Sequence, residues 1–229
     1  MRSAGCIVND IVDKDFDIKI SRTKKRPLAS GVISVKTSLI YVLFLCALAF
    51  LILLQFNLLT ICLGIGSMFF AFSYPYMKRI TYWPQLFLGL TFNWGIVMAG
   101  VSISNTISLE NLILYASAIF WTLGYDTIYG AQDMSEDEII GLKSTSIKFK
   151  KNIKYFVFVC YLLTLSTITF LFKDMIGINI FSLLLVIFSF SLMYQLNFEK
   201  EKAHTCLKMF KINNYSGLFL FLAIMSLGR

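Results

Sequence analysis

Nine of the thirteen acidic residues in this chain fall in two short windows. The first holds Asp10, Asp13, Asp15 and Asp17; the second holds Asp126, Asp133, Glu136, Asp137 and Glu138. Asn9, Asp13 and Asp17 recur every four residues with Asp10 adjoining, and Asp126, Asp133 and Asp137 fall at i, i+7 and i+11. Both spacings describe one face of a helix. Ionised carboxylates so close repel, by about 4 kcal/mol per pair at 4 Å and an effective dielectric of 20, so each array calls for a cation. Oxygen ligands with no His or Cys beside them suit Mg²⁺ rather than zinc, and Mg²⁺ commonly completes its shell with water and substrate phosphates. Cations of the phosphate-binding kind flank the acids. Arg22, Lys24, Lys25 and Arg26 follow the first window, Lys78 and Arg79 lie between the two, and Lys143-Ser144-Thr145 follows the second. A metal ion with several cations is what binding a diphosphate and stabilising it as a leaving group requires. Asp15, Glu136 and Glu138 read as solvated acids, and Lys24, Lys25, Lys150 and Lys151 as determinants of topology.

The elements that position these residues are membrane helices. Of 229 residues, 57% are hydrophobic and only 15% charged, against about a quarter charged in soluble domains. No Asp, Glu, Lys or Arg occurs in 37–77, 80–109, 111–125, 155–172, 175–198 or 212–228, and about 20 apolar residues cross a bilayer. The fold class is therefore all-α, a polytopic transmembrane helical bundle, read as one membrane-embedded domain over 1–229. Seven complete spans are expected, at 37–56, 58–76, 82–103, 108–130, 153–172, 176–197 and 209–228, and residues 1–17 read as the lower end of a further, partial helix. Four regions, at 18–36, 78–79, 143–154 and 199–211, hold 17 of the 21 Lys and Arg and alternate with the spans, which places them and both acidic windows on the cytoplasmic side. The net charge of +8 thus reports membrane topology, and no nucleic-acid partner is expected. None of the five cysteines forms a CxxC pair, so no zinc or disulfide framework is indicated.

Asn9-Asp10-Ile11-Val12-Asp13-Lys14-Asp15-Phe16-Asp17 resembles the NDxxDxxxD motif of the UbiA superfamily of intramembrane prenyltransferases. Tyr125-Asp126-Thr127-Ile128-Tyr129 through Asp133 and Asp137 resembles its second motif, YDxxYxxxDxxxD. Arg22-Thr23 with Arg26-Pro27-Leu28, Tyr74-Pro75 with Lys78-Arg79, Gly141-Leu142-Lys143-Ser144-Thr145 and Asn213-Asn214-Tyr215 are similar to the branch acting on 4-hydroxybenzoate. The resemblance runs the length of the chain. It implies Mg²⁺-dependent transfer of a polyprenyl group from an all-trans polyprenyl diphosphate to 4-hydroxybenzoate, ortho to the phenol, with release of diphosphate, as a step of ubiquinone biosynthesis. It also implies residue roles. Asn9, Asp13, Asp17, Asp133 and Asp137 bind Mg²⁺ and diphosphate, with Asp10 and Asp126 supporting that shell. Lys78, Arg22 and Lys143, with Tyr74 and Tyr129, bind the diphosphate, and Arg79 takes the benzoate carboxylate. Tyr74, Tyr125 and Tyr129 also offer aromatic faces to the developing allylic cation.

Two rivals stand beside this reading. One is a UbiA-type enzyme with another acceptor, a naphthoate or haem; the Arg79 turn and the Lys143-Ser144-Thr145 segment favour benzoate. The other is a cation transporter, which predicts carboxylates at mid-membrane depth rather than at one mouth. The expected location is the bacterial inner membrane, or the mitochondrial inner membrane in a eukaryote. Asn9 has eight residues before it, about 12 Å of helix, so relative to the family's nine helices the first and most of the second are expected to be missing.

Overall fold

Capping and proline placement divide the chain into its helices. The computed structural model describes residues 2–20 and 23–228, and among these there is no strand. The helices are α1 (Arg2–Asp17), α2 (Val35–Leu53), α3 (Leu58–Ile80), α4 (Pro84–Phe92), α5 (Trp94–Ser104), α6 (Leu109–Gly130), α7 (Met134–Ile140), α8 (Thr145–Lys148), α9 (Ile153–Leu171), α10 (Ile180–Gln195), α11 (Ala203–Lys211) and α12 (Asn213–Met225), with a 3₁₀ turn at Lys173–Met175. Ser34, Asn57 and Asn179 cap α2, α3 and α10 by accepting from the backbone N–H three residues on. Pro84 opens α4, where its missing N–H costs nothing.

The described chain forms two compact units. The first comprises the residues up to Ser108 together with Glu136–Lys143, and the second Leu109–Ser135 together with Ser144 onward. In the first unit α1 packs on α2 and α3, and α3 on α4 and α5. The Asn57 side-chain amide donates to the Val101 carbonyl at 2.9 Å, tying the start of α3 to α5. The Trp94 indole N–H donates to the Leu63 carbonyl at 3.0 Å. In the second unit α6 lies along α9, and α10 along α12. Its core joins Ile128, Val157, Tyr161, Phe181, Phe188, Leu192 and Phe198. Tyr161 donates to Gln195 at 2.6 Å, and Gln195 donates to Ser216 at 3.2 Å, so these buried polar groups satisfy one another.

Among the described residues, four helices are long and apolar enough to cross a membrane: α2, α3, α4 with α5 taken together (Pro84–Ser104), and α9. They correspond to the spans expected at 37–56, 58–76, 82–103 and 153–172. The other three expected spans are not among these four, so the full count of seven is not confirmed. α6 has 22 residues but carries Glu110 and Asp126. α10 has only 16 residues, and the last span is divided at Ile212 between α11 and α12.

Candidate active site

The first acidic window is one helix, as its spacing predicts. α1 turns Asp13 and Asp17 inward, leaving them 2% and 4% exposed, while Asn9 and Asp10 are half-buried and Asp15 is exposed. Two cations from the last turn of α3 meet this face. The Lys78 ammonium donates to Asp13 Oδ2 at 2.5 Å. The Arg79 guanidinium donates to the Val12 carbonyl at 2.6 Å and stands 3.8 Å from Asp13 Oδ1. It also lies over the Phe16 ring, 4.8 Å from the centroid. Cations at this helix end are favoured by the α3 dipole as well.

Arg26 forms a third contact, through Nη1, at 2.9 Å from both Asp10 Oδ1 and Asp17 Oδ2. The Thr23 hydroxyl, three residues before Arg26, donates to the Asp17 carbonyl at 3.1 Å. α1 itself is not among the membrane-crossing helices. Burial raises the Asp13 carboxyl above its ordinary pKa, and the Lys78 ammonium only partly opposes that. Burial likewise raises Asp10, against the opposing Arg26 guanidinium.

Among the described residues, Asp13 Oδ1 is the buried side-chain oxygen with no hydrogen-bond partner. A buried carboxylate oxygen that accepts no hydrogen bond, on the acidic face, is a fitting ligand for a hard cation. No three His, Cys, Asp or Glu side chains among the described residues converge as a ready-made metal cage; the α1 carboxylates are turned to Lys78 and Arg26 instead. This is compatible with Mg²⁺, which uses one or two carboxylates plus water and phosphate oxygens.

Lys143 also belongs to the first unit. Gly141, at φ +82°, ends α7 in the left-handed conformation that glycine adopts without strain. The chain then leads Lys143 to the end of α3, where its N–H donates to the Lys78 carbonyl at 2.8 Å and its ammonium to the Ile80 carbonyl at 3.1 Å. Tyr74 is half-buried on α3, one turn before Lys78. Arg22 lies outside the described residues.

The second acidic window departs from its expected geometry. α6 ends at Gly130 and α7 begins at Met134. The Ala131 N–H is shared between the Thr127 and Ile128 carbonyls, which tightens the last turn and ends the helix. Asp126, Asp133 and Asp137 therefore do not share one helical face: Asp126 is on α6, Asp133 in the turn and Asp137 on α7. Asp126 and Asp133 belong to the second unit, whereas Asp137 belongs to the first.

On the same helix as Asp126, Tyr125 and Tyr129 join an aromatic cluster of the second unit. The Tyr129 and Tyr125 rings lie 4.5 and 5.8 Å from Phe210 of α11, and Tyr125 meets Trp121 at 6.1 Å. The Trp121 N–H is fixed by Asn213 at 3.0 Å. On the other side, the Thr127 and Thr145 hydroxyls are 2.6 Å apart and Ser146 donates to the Thr127 carbonyl at 2.7 Å, so α8 docks on α6 through fully buried hydroxyls. Arg26 was recognisable in the sequence as a phosphate-type cation but not as the partner of Asp10 and Asp17. Phe210 carried no signal among 22 phenylalanines.

These features, an acidic helix face answered by basic residues within a bundle of apolar helices, define a class. Residues 1–222 match the UbiA prenyltransferase family, and the chain belongs to that family. Its relatives narrow the comparison. It is 40% identical over 223 residues to 4-hydroxybenzoate octaprenyltransferase of Psychromonas ingrahamii, covering 96% of this chain and 77% of that one. It is 39% identical over 234 residues to the mitochondrial 4-hydroxybenzoate polyprenyltransferase of Drosophila pseudoobscura pseudoobscura, covering 98% of this chain and 57% of the fly enzyme. The human mitochondrial enzyme is 47% identical over 155 residues, which are 67% of this chain and 42% of the human one. The chain thus spans about half the length of these mitochondrial relatives. In fold it is similar to a UbiA homolog from Aeropyrum pernix K1, with a TM-score of 0.83 at 24% identity over 98% of this chain and 84% of that one. It is also similar to a UbiA homolog from Archaeoglobus fulgidus bound to GPP and Mg²⁺, with a TM-score of 0.69 at 18% identity over 97% and 83% of the two chains.

Proposed function

We propose that this chain transfers a polyprenyl group from an all-trans polyprenyl diphosphate to 4-hydroxybenzoate, ortho to the phenol, releasing diphosphate, as a step of ubiquinone biosynthesis in a bacterial or mitochondrial inner membrane. The observation that carries the reading is the 40% identity, across 96% of the chain, with an enzyme named for this acceptor. In this proposal residues 1–229 are one membrane-embedded domain with its active-site mouth towards the cytoplasm.

Asn9, Asp13, Asp17, Asp133 and Asp137 are the residues that would hold Mg²⁺, with Asp10 and Asp126 supporting them. The buried Asp13 Oδ1, which accepts no hydrogen bond, supports this assignment, and the Mg²⁺ in the Archaeoglobus homolog supports the choice of metal. Bound Mg²⁺ would supply charge neutralisation to the diphosphate leaving group. Lys78, Arg22, Lys143 and Arg26 add fixed positive charge against the same group. Tyr74 and Tyr129 contact the diphosphate end of the substrate, and the Tyr125 and Tyr129 faces, held by Phe210, stabilise the allylic cation left as the carbon–oxygen bond breaks. Arg79, with its guanidinium about a third exposed, keeps donors available for the benzoate carboxylate. The ring carbon ortho to the phenol then bonds the allylic carbon and loses its proton.

The test is an acceptor panel in lipid vesicles with one polyprenyl diphosphate, offering 4-hydroxybenzoate, a dihydroxynaphthoate and haem with and without Mg²⁺. Prenylated 4-hydroxybenzoate that depends on Mg²⁺ is the expected product. Turnover of another acceptor with none of 4-hydroxybenzoate rejects the acceptor assignment, and absence of diphosphate release with every acceptor rejects the enzymatic one.

A further inference from the structure

Away from the acidic residues, α10 and α12 leave an open groove of about 650 Å³ on the second unit. Its walls include Ile187, Phe190, Tyr194, Asn197, Tyr215 and Phe219. Ile187 and Tyr194 are seven residues apart on α10, about 10 Å along the helix, which is a third of the roughly 30 Å thickness of bilayer hydrocarbon. The groove is graded. Its Ile187–Phe190 end is apolar, and the one hydroxyl in its middle, Ser191, is already satisfied by the Phe188 carbonyl and by Ser216. Its other end carries Asn197 and the exposed rings of Tyr194 and Tyr215, a composition that favours the membrane–water interface.

The helix that leads into the groove-lining Ile212, α11, is basic. α11 buries Cys206 and Met209, and its Lys208 and Lys211, three residues apart, are exposed on the same side of the helix. The nearby acids do not oppose them: Glu199 is paired with Lys202 at 2.7 Å, and Glu201 lies 3.8 Å from Lys200. Exposed apolar length, an interfacial tyrosine pair and an uncompensated lysine pair thus follow one another in the order of a phospholipid's chain, glycerol region and anionic phosphate.

We infer that the α10–α12 groove and the Lys208–Lys211 side of α11 form a binding site for an anionic phospholipid of the surrounding leaflet. One acyl chain lies along Ile187, Phe190 and Phe219, and the phosphate is held by the two lysines. Attraction of this kind is worth roughly fivefold in affinity per lysine at an anionic surface. The site is independent of the prenyl-transfer reading.

Native mass spectrometry of the full chain released from mixed micelles tests it, with phosphatidylglycerol and phosphatidylcholine of identical acyl chains as probes. Wild type is expected to retain phosphatidylglycerol at least about fivefold over phosphatidylcholine. Lys208→Ala with Lys211→Ala should bring that ratio close to one, and Lys208→Arg with Lys211→Arg should keep it. Ile187→Trp, which fills the apolar end, should lower retention of both lipids, and soluble glycerol phosphate should fail to displace phosphatidylglycerol. Equal retention of the two lipids by wild type overturns the inference, as does selectivity unchanged in the double alanine variant. Retention of a polyprenyl diphosphate in place of phospholipid, or a dimer that Ile187→Trp dissociates, would show a different occupant and overturn it too.

Discussion

Replacing Lys78 with methionine probes the contact that holds the acidic helix. Asp13 is 2% exposed, and its Oδ1 has no hydrogen bond among the described residues. Oδ2 depends on Lys78 at 2.5 Å, and the Lys78 side chain is 26% exposed. Removing one partner of a buried ion pair costs about 3–5 kcal/mol. Water reaching the lysine head and the Arg79 guanidinium 3.8 Å from Asp13 put the expected loss at the low end, about 3 kcal/mol. Asp13→Asn in the Lys78→Met background should restore most of that loss, because the stranded charge is gone. The assay is reversible denaturant unfolding in micelles with EDTA present, over the double-mutant cycle. A coupling of about 2 kcal/mol is expected, and single-mutant effects that add within about 0.5 kcal/mol would refute the reasoning.

The same cycle carries a pH signature. Because burial raises the native pKa of Asp13, the native state binds more protons than the unfolded one. Stability from this group is present below the ordinary carboxylate value and is lost as pH rises through the raised one. Lys78→Met raises that pKa further, so its deficit should shrink towards acid pH and grow as pH rises. Millimolar Mg²⁺ should narrow the deficit by taking the place of the lost ammonium, without reference to turnover.

Three further outcomes are expected. Arg26→Ala, which removes the bridge between Asp10 and Asp17, should destabilise the fold by about 1 kcal/mol after screening of its third-exposed guanidinium, and Arg26→Lys should recover only part of this in the same unfolding assay. Gly124→Ala places a methyl 2.5 Å from Cε1 of the fully buried Tyr161 and should lower stability by about 1–3 kcal/mol, read by thermal unfolding. Asp133→Ala should reduce prenyl transfer by on the order of 100-fold or more, as should EDTA, followed by release of labelled diphosphate; transfer intact in Asp133→Ala would remove it from the proposed Mg²⁺ set.

The helix carrying Asn9, Asp13 and Asp17 was legible because a four-residue spacing of acids has one local meaning, a single face of a helix. The apolar runs at 37–77 and 155–172 were legible for an equally local reason, since only a helix satisfies its own backbone in a bilayer. The second window misled because periodicity continues through a turn on paper, whereas the shared hydrogen bond at Ala131 ends the helix in space. The expected count of spans is not confirmed for a related reason: an uncharged run bounds a helix but does not set its length, and α10 uses only 16 residues of its run.

Composition and spacing alone thus determined an all-helical membrane chain with clustered carboxylates and an excess of cations to answer them. They could not assign partners. That Lys78 meets Asp13 across 65 residues, that Arg26 bridges Asp10 and Asp17, and that Phe210 backs Tyr125 and Tyr129 are decided by how helices distant in sequence pack. The physical reason is range. Helix formation and membrane partition are fixed by neighbours within a few residues, whereas a buried carboxylate finds its cation only when a second helix has already been placed against it.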